Sequence, residues 1–432
     1  MDGRAAIEWI HSTCKLGSKL GLENVTELSR RMGDAHRRFR SVHVAGTNGK
    51  GSVCAMLYTI LRAAGYRTGL FTSPYLVDFR ERIQADGALI PYGDLARIAG
   101  RVRDAVDDML ADGWNHPTEY EIVTVIGFTY FAEQGLDAAV IEVGLGGRLD
   151  MTNIIRPDLC VITPVSLDHT RILGDTLDKI AYEKAGIIKT GVPVVSSAQE
   201  PEAARVLRET AGEHNAPITV ADKQDVRVTS AGLEGQSVDF HINGQWETGY
   251  ALPLVGAHQA ENALTARLAV EEMRRLTYTI PDDALRQGLG RARWPGRVEV
   301  AGKDPLVILD GTHNPAGAAA LRDAVSTFLA GKKTVLMMGM MEDKDVSGVA
   351  AILAPLAKCA VAVRVDNPRA MDTKSLAAIV GKHIPVQSAD DPATALALAK
   401  KLAGQDGAVL VAGSLYLIGA VKEVLGQTAV IP

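Results

Sequence analysis

The sequence predicts an α/β protein in two parts, each built on a mostly parallel sheet with helices on both faces. Short apolar runs alternate along the chain with helical stretches, and this alternation is typical of βα units that form a buried, doubly wound sheet. Several apolar runs end in glycine-rich or polar turns, which is where ligands bind in such sheets. The helical pattern stops at residues 295–298 and a second series of strands and helices begins.

Length and composition indicate a globular protein with large cores. The chain has 432 residues, of which 47% are hydrophobic and 22% charged, with a formal net charge of −5. This balance argues against a broad nucleic-acid surface. Since no apolar run reaches the length of a membrane span and the N-terminus lacks a signal-peptide core, we expect a cytoplasmic protein without membrane contact. The four cysteines are far apart, which favours reduced core residues over disulfides or a zinc site.

The elements can be placed in chain order. Residues 4–38 have a helical pattern that two glycines interrupt at 15–22. Apart from the segments discussed below, the first part should have helices and strands at 67–75 (strand), 91–113 (helix), 120–135 (helix), 160–165 (strand), 192–196 (strand), 259–275 (helix) and 282–288 (helix). Glycine turns between β-like runs at 217–255 predict a small antiparallel patch. We therefore expect a first domain at 1–295 and a smaller, Rossmann-like domain at 298–432 with strands at 306–310, 334–339, 360–365 and 408–412.

The segment Arg40–Val53 has the pattern of a phosphate-binding loop. An apolar strand runs into a turn with three glycines, and a helix is predicted at Val53–Ala64; the glycines are Gly46, Gly49 and Gly51. Positive φ at these glycines would direct backbone N–H groups at one anion, to which Lys50 and the helix N-terminus add positive charge. The spacing departs from the usual P-loop, because Gly51 stands between Lys50 and Ser52. The alternative is a glycine-rich turn without a ligand.

A carboxylate ends another buried strand. Glu142 follows four apolar residues, 138–141, in a run where a charge is costly unless a cation neutralises it. In a protein with a phosphate loop the expected cation is Mg²⁺, which prefers one or two carboxylates together with phosphate oxygens and water. The alternative is that Glu142 simply pairs with Arg148.

Polar residues also follow the next strand. Asp168 and His169 come after the strand at 160–165, so we expect them at the same sheet edge as Glu142. Lys184 lies on the helix that starts at Thr176, from which its side chain can fold back towards this edge. The alternative for Lys184 is a solvated helix lysine.

The second part repeats the arrangement. Residues 310–317 have the pattern of strand, turn and helix, and they present Asp310, His313 and Asn314 at the strand end. Polar strand ends recur at 338–345 and 411–416. We therefore expect two clefts, one in each domain, that face each other and close over a shared ligand.

Motifs spread over nearly the whole chain match one known family in the same order. The matching segments are His43–Ser52, Thr72–Val77, Glu81–Ile83, Glu142–Asp150, Leu167–Thr170, Glu183–Ile187, Gly256–Asn262, Trp294–Arg297, Asp310–Pro315 and Gly413–Tyr416. In these segments the sequence resembles the folylpolyglutamate synthase/dihydrofolate synthase family of the Mur ligase superfamily. The resemblance implies an ATP-dependent amide ligase that activates a folate or dihydropteroate carboxylate as an acyl phosphate and joins it to the amino group of L-glutamate.

The resemblance also implies roles for residues around the phosphate loop. It implies that the ATP phosphates are held by Asn48, Gly49, Lys50, Gly51 and Ser52, and that Mg²⁺ ions, at two sites, are held by Ser73, Glu142, His169 and Lys184. Lys184 matches a lysine that family members carry as a carbamate, whose carboxylate end holds a metal ion that would repel an ammonium group. The catalytic candidates are Lys50, Glu142, His169 and Lys184, and a monovalent cation is a further expected cofactor.

Other matches concern the nucleotide and the two substrates. The resemblance implies nucleotide contacts from Asn262, Arg297 and Asp310, and glutamate contacts from His313 and Ser414. Positions that bind dihydropteroate in bifunctional members are matched by Leu20, Gly21, Thr118, Glu119, Tyr120, Glu121 and Leu149. Tyr120 offers a flat face for a pterin ring, although an aromatic residue at a helix start is more often part of the core.

Two other functions remain open at this point. A ligase of the same superfamily that acts on UDP-muramoyl peptides would require a separate N-terminal nucleotide-sugar domain, and the strand before the phosphate loop already begins near Arg40. A nucleotide-binding protein without turnover would have no use for Glu142, His169 and Lys184 together. Because members of the family are commonly monomers, we expect a monomer.

Overall fold

The computed structural model describes residues 2–16 and 21–428. Its helices are α1 (Gly3–Ser12), α2 (Glu23–Arg31), α3 (Lys50–Ala63), α4 (Tyr92–Ala111), α5 (Glu119–Glu133), α6 (Thr170–Leu173), α7 (Leu177–Ala185), α8 (Pro201–Glu213), α9 (Ala257–Arg275), α10 (Asp282–Arg291), α11 (Pro315–Leu329), α12 (Val346–Leu353), α13 (Thr373–Val380), α14 (Pro392–Ala403) and α15 (Leu415–Val424). Within the described ranges, none of these helices combines the length and apolarity that a bilayer crossing needs.

The first sheet carries the phosphate loop and is mostly parallel. Its strands are β1 (Arg40–Ala45), β2 (Thr68–Phe71), β3 (Ile83–Ala85), β4 (Ala88–Leu89), β5 (Ala138–Glu142), β6 (Leu159–Ile162), β7 (Val194–Ser196) and β8 (Ile218–Val220), in the order β4-β3-β2-β5-β1-β6-β7-β8. Only β3 and β4 at one edge run antiparallel to their neighbours. In the centre, Val44 of β1 pairs with Glu142 of β5, and Ala45 pairs with Ile162 of β6. The carboxyl ends of these three strands therefore meet beside the phosphate loop.

Burial on both faces explains why the central strands read as continuous apolar runs. All five residues of β5 and all four of β6 are buried. One face packs against α3, α9 and α10, and the other packs against α1, α4 and α5. Fully burying an Ile or Leu side chain contributes about 1.5–3 kcal/mol, so these layers hold the strand ends in place.

A three-stranded antiparallel sheet follows, as the glycine turns at 217–255 predict. It consists of β9 (Val226–Gly232), β10 (Gly235–Ile242) and β11 (Gln245–Leu252), with β10 in the middle. The start of the predicted patch belongs elsewhere, because β8 pairs in parallel with β7 and extends the first sheet. The three strands pack their inner face on the core of the first sheet.

The last sheet confirms a second α/β unit, but it is mixed. Its strands are β12 (Glu299–Lys303), β13 (Leu306–Leu309), β14 (Thr334–Met338), β15 (Cys359–Val363), β16 (Val386–Ala389) and β17 (Ala408–Ala412), in the order β12-β13-β17-β14-β15-β16. The sequence pattern misses β12, which is antiparallel to β13, and also β16. Both are edge strands that are only partly buried, so neither has the continuous apolar run of a central strand.

Candidate active site

The phosphate loop joins β1 to α3, and two of its glycines have positive φ. These angles are 143° at Gly46 and 91° at Gly49. A Cβ atom at Gly46 would lie 1.9 Å from Thr163 Oγ1, and one at Gly49 would lie 2.4 Å from Asn262 Oδ1. Glycine is therefore required at both positions for the close approach of these side chains. Asn262, predicted to contact the nucleotide, is thus directly beside the loop.

Two predictions about the end of the loop are wrong. Gly51 does not have positive φ; it lies in the first turn of α3, which begins at Lys50 rather than at Val53. Glycine is needed there for another reason, because a Cβ atom would lie 2.3 Å from Cζ2 of Trp294. The N–H groups of Lys50, Gly51 and Ser52 consequently belong to a helix N-terminus, where no intrahelical acceptor is available to them.

Two side chains of the loop, Lys50 and Asn48, form hydrogen bonds with the loop backbone and with neighbouring segments. Nζ of Lys50 donates hydrogen bonds to the carbonyl oxygens of Gly46, at 3.2 Å, and Thr47, at 3.3 Å. Nδ2 of Asn48 donates to Oγ of Ser166 at 3.2 Å, and Oδ1 of Asn48 accepts from Nδ2 of Asn314, in the second unit, at 3.1 Å. The loop is thus in contact with both units of the protein.

Glu142 is buried at the end of β5 without a basic partner. Its side chain lies beside Ser73, whose backbone N–H donates to Oε2 at 3.3 Å, and the residue is 4% exposed. Burial raises the pKa of Glu142 to about 7, although Lys50 partly opposes the rise. Among the described residues, no Lys or Arg nitrogen lies within 4.0 Å of this carboxylate, and Arg148 pairs instead with Glu183, at 2.8 Å. The interpretation of Glu142 as a partner of Arg148 is therefore wrong.

Lys184 folds back from α7 under the phosphate loop. Its Nζ donates to the carbonyl oxygen of Gly46 at 2.8 Å, and the residue is only 4% exposed. Burial, together with repulsion from Lys50, lowers the pKa of Lys184 to about 7. This placement rules out a solvated helix lysine and brings Lys184 to the loop, as the sequence suggested.

Asp168 connects the first unit to the second. Its Oδ1 accepts a hydrogen bond from Nζ of Lys344 at 2.6 Å, and its Oδ2 lies 3.2 Å from Nδ2 of Asn314 and 3.4 Å from Nε2 of His313. Burial alone would raise the pKa of Asp168, but His313 and Lys344 hold it well below its ordinary value. The sequence pattern does not single out Lys344, whose only signal is its position in the polar stretch after β14.

His169 faces the same lysine. Its backbone is left-handed, with φ of 50°, at the N-terminus of α6. Nε2 of His169 lies 3.2 Å from Nζ of Lys344, and burial lowers its pKa to about 4, although Asp168 opposes that shift. The imidazole is therefore neutral at physiological pH and has a lone pair available for a cation or a donor.

The connection between the units is held by Asp310, which follows β13. One carboxylate oxygen accepts from the N–H of Val298 at 2.9 Å, and the other accepts from Thr312 through its N–H at 2.9 Å and its Oγ1 at 2.5 Å. Arg297, the residue before Val298, donates from Nη1 to the carbonyl oxygen of Gly296 at 3.1 Å. Asp310 thus fixes the backbone next to Arg297, so two of the predicted nucleotide residues lie together at the connection.

Two family models match the chain, each over one of these units. The Mur ligase middle domain matches residues 44–270, and the glutamate ligase domain of Mur ligases matches residues 296–415. The dihydrofolate synthase/folylpolyglutamate synthase of Bacillus subtilis (strain 168) is 36% identical over 422 residues, which cover 97% of this chain and 98% of that protein. The chain belongs to the folylpolyglutamate synthase/dihydrofolate synthase family of Mur ligases. Members are ATP-dependent ligases, and this chain joins L-glutamate to a folate or pteroate carboxylate.

Solved structures of this synthase family have the same fold throughout. A Mycobacterium tuberculosis folylpolyglutamate synthase complexed with ADP has a TM-score of 0.92 and 30% identity, covering 99% of this chain and all of that chain. E. coli FolC in complex with DHPP and ADP has a TM-score of 0.86 and 31% identity, covering 98% of this chain and 97% of that one. The interpretation of the chain as a muramoyl-peptide ligase loses its support, because these three relatives, which match over nearly their full length, are folate enzymes.

The predicted pterin residues of this synthase have structural contacts of their own. Leu20 lies outside the described residues, and Gly21 follows directly after the gap. Thr118 and Glu121 form a capping box at the start of α5: Thr118 N–H donates to Glu121 Oε2 at 2.7 Å, and Glu121 N–H donates to Thr118 Oγ1 at 3.3 Å. Oε1 of Glu119 lies 3.5 Å from Nδ1 of His11.

Tyr120 and Leu149, the other two predicted pterin residues, are partly exposed. Tyr120 packs against the core below Phe71, and a Cβ atom at Gly144 would lie 2.6 Å from its ring and hydroxyl. Leu149 is half-buried in the loop after β5. Both positions are compatible with a substrate wall, and their role in binding stays a prediction.

The predicted glutamate residues lie at two strand ends of the second unit. Nδ1 of His313 lies 2.9 Å from the carbonyl oxygen of Gly311, while its Nε2 faces Asp168. Oγ of Ser414 accepts from the N–H of Tyr416 at 3.1 Å and caps α15. In the described part of the synthase, no three His, Cys, Asp or Glu side chains are close enough to hold a metal ion by themselves. The predicted metal ligands are therefore brought together only in part, since Ser73 and Glu142 are adjacent whereas His169 faces Lys344.

Proposed function

We propose that the cleft between the two sheets holds ATP, a folate or dihydropteroate and L-glutamate, and that the residues around the phosphate loop perform the ligation. The observation that supports this proposal is the pair of buried groups Glu142 and Lys184 next to the loop. Each lacks an oppositely charged side chain within 4.0 Å among the described residues. Buried charges without partners are costly, and the bound reactants would supply the missing partners.

ATP binding is assigned to the loop and to the connection between the units. The N–H groups at the start of α3 and Nζ of Lys50 would bind the phosphates, in the segment Asn48–Ser52. Asn262 lies beside Gly49, so it can reach the nucleotide next to its phosphates. Arg297 and Asp310 would bind the nucleotide from the connection, where Asp310 already orients the backbone at Val298. ADP in the similar M. tuberculosis and E. coli structures supports nucleotide binding in this fold.

The residues present fit Mg²⁺ at Glu142 and Ser73. Glu142 is a buried carboxylate without a protein cation, and Ser73, whose N–H contacts it, carries a hydroxyl oxygen. A cluster of three protein ligands is not required, because Mg²⁺ commonly keeps water and phosphate oxygens in its shell. His169 would be a further ligand after Nζ of Lys344 turns away from its Nε2 while keeping the ion pair with Asp168. When bound, Mg²⁺ would stabilise charge on the transferring phosphoryl group, and a monovalent cation is proposed as a further cofactor.

Lys184 is proposed to act as a carbamate. A pKa of about 7 leaves a substantial fraction of its amine neutral at physiological pH, and the neutral Nζ can form an N–C bond with CO₂ while one proton is released. The product is a carboxylate in place of a cation. That change would remove the repulsion between Lys184 and Lys50 and provide an anionic ligand for the second metal ion.

The two substrates are assigned to opposite walls. The pteroate would lie along the edge formed by Gly21, Thr118–Glu121 and Leu149, and Leu20 is included by its match alone. Glutamate carboxylates would be bound by His313 and Ser414 of the second unit. DHPP in the similar E. coli structure supports dihydropteroate as one substrate, and tetrahydrofolate is the other. The contacts of Asp168 with the second unit would hold the cleft closed, which protects the acyl phosphate from water.

The state of the protein is proposed as a cytoplasmic monomer with two domains, 1–295 and 298–432. The ranges matched by the two family models, 44–270 and 296–415, support a boundary between these domains. Light scattering at several protein concentrations tests the monomer, since a dimer would double the measured mass.

A ligation assay tests the activity itself. The protein is incubated with ATP, Mg²⁺, L-glutamate and either dihydropteroate or tetrahydrofolate, and both inorganic phosphate and product mass are measured. We expect phosphate release only when L-glutamate and one of these two substrates are both present. The product should have gained one glutamyl residue. Binding of ATP without any turnover would contradict the proposal. Competition between dihydropteroate and tetrahydrofolate would show which of the two substrates the cleft prefers.

A further inference from the structure

Helix α15 of the second unit rests directly on a loop of the first unit. A Cβ atom at Gly419, in the middle of this helix, would lie 2.0 Å from the carbonyl oxygen of Leu76 and 3.0 Å from its carbonyl carbon. The clash would be with backbone rather than with a movable side-chain end. Gly419 therefore forms a notch in α15, and the Leu76 carbonyl occupies that notch.

The loop that carries this carbonyl is held in place by one carboxylate, that of Glu81. Glu81, only 6% exposed, accepts hydrogen bonds from the N–H groups of Leu76 at 2.7 Å, Val77 at 3.0 Å and Asp78 at 2.7 Å. The Val77 N–H and the Leu76 carbonyl belong to the same planar peptide unit. Glu81 thus holds one side of this peptide while Gly419 meets the other side, so the contact has little freedom to move.

The same face of α15 is tied to the connection between the units. Lys422, three residues after Gly419 and 1% exposed, donates from Nζ to Oε1 of Glu299 at 2.5 Å. Oε2 of Glu299 accepts from the N–H of Gly296 at 2.7 Å. A Cβ atom at Gly296 would lie 3.2 Å from Ile418, which is also on α15. The helix is thus attached to the connection at one point and seated on the first unit at another.

We propose that Gly419 is a positioning residue for the ligation. Because it has no side chain, α15 can pack directly on the Leu76 peptide, and this contact fixes the position of the second unit relative to the cleft. Ser414 caps the N-terminus of α15, and Leu415 lines the cleft together with Ser73 and Glu142. A displacement of the helix would therefore move Ser414 relative to the reacting groups. The inference rests on the proposed function for the assignment of Ser414 to glutamate.

Gly419→Ala tests this seat, with Gly100→Ala as its matched control. Gly100 lies inside α4, and a Cβ atom there would have no neighbour within 4 Å. Alanine is the better helix former at both positions, so a loss that is specific to Gly419 must come from the contact with Leu76. For Gly419→Ala we expect kcat/KM for glutamate to fall ~10- to 100-fold, because small misplacements are costly in ligation, whereas ADP affinity should fall much less. The clash with backbone should also lower the melting temperature. Gly100→Ala should match wild type in glutamate kcat/KM and ADP affinity and should melt slightly higher.

Glu81→Gln provides a second test that adds no atoms to α15. Its amide group can no longer accept from all three N–H groups, so the Leu76 peptide loosens from the other side and glutamate kcat/KM should again fall more than ADP affinity. Wild-type kinetics in Gly419→Ala would overturn the inference, as would a loss of ADP affinity as large as the loss of glutamate kcat/KM. An absence of glutamate ligation in the wild-type protein would instead refute the proposed function.

Discussion

Two pairs of buried charged groups lie around the phosphate loop, and they differ in how their charges are balanced. Glu142 and Lys184 are each 4% exposed, and neither has an ion partner within 4.0 Å in the described part of the chain. Asp168 and Lys344 form an ion pair at 2.6 Å, with side chains that are both 8% exposed. Burial moves the pKa of Glu142 up and that of Lys184 down, in both cases to about 7, whereas the pKa of Asp168 is held well below its ordinary value.

This difference separates groups that bind reactants from groups that hold the protein together. A buried charge without a partner lowers stability. We infer that reactants bound in the cleft supply the opposite charges that Glu142 and Lys184 lack. Asp168 and Lys344 neutralise each other in an ion pair, and this pair joins the two units. We therefore expect changes to Glu142 or Lys184 to reduce activity, and changes to Asp168 or Lys344 to reduce stability.

Glu142→Gln should have the largest effect on turnover. We expect kcat to fall ~100- to 1,000-fold, in the range seen when one electrostatic contact to a transition state is removed, because the neutral amide binds Mg²⁺ poorly. ATP binding should persist through the phosphate loop. Steady-state phosphate release and ADP calorimetry measure the two effects. The remote Glu133→Gln, which affects a surface ion pair with Arg97 and Arg101, is the control, and an unchanged Mg²⁺ dependence in Glu142→Gln would contradict the assignment.

Lys184→Ala should lose ~100-fold or more in kcat if its carbamate holds a metal ion. Short carboxylic acids should partly restore the rate, because they can place a carboxylate in the space that the side chain leaves. Lys179→Ala is the matched control on the same helix, since Lys179 forms only an exposed pair with Asp175. Wild-type-like rates in Lys184→Ala would refute the carbamate role, and rescue by amines rather than acids would indicate an ammonium function.

Much of the fold could be predicted because buried strands carry their own signal. The continuous apolar runs at β5, β6 and β13 predicted strands whose ends share an edge, and this placed Glu142, Asp168 and Asp310 correctly around the cleft. The edge strands β12 and β16 were missed because half-buried strands lack such a run. Three strand ends with polar residues could thus be located from sequence, but the partners of those residues could not.

The choice of partners is tertiary information that a single sequence does not carry. Arg148 is close to Glu142 in sequence, yet it pairs with Glu183, and Lys344 reaches Asp168 across 176 residues. Gly51 was assigned a backbone role although the structure needs it for the packing of Trp294. The helical position of Lys184 is compatible both with solvent and with the phosphate loop, and only the resemblance favours the loop, where the structure places it.

The stability of the protein should respond to pH in a way that Glu142 controls. Its folded-state pKa is raised from 4.5 to about 7, so the folded state binds the proton more tightly and stability falls as pH rises through that window. The loss corresponds to ~3 kcal/mol at most. In metal-free buffer, Glu142→Gln should therefore melt higher than wild type at pH 8, with a smaller difference at pH 5. Equal melting temperatures at pH 8 would show that the carboxylate already has a partner.

The Asp168–Lys344 pair should show its effect in a double-mutant cycle. Asp168→Asn and Lys344→Met are each expected to lower the free energy of unfolding in urea, because each leaves the other buried charge without its closest partner. The double variant should lose less than the sum, with a coupling of ~1–3 kcal/mol. Because the two residues belong to different units, this coupling measures how firmly the second unit is held to the first. Additive losses would remove the distinction between the two pairs, since Asp168 would then be balanced by His313 and Asn314 alone.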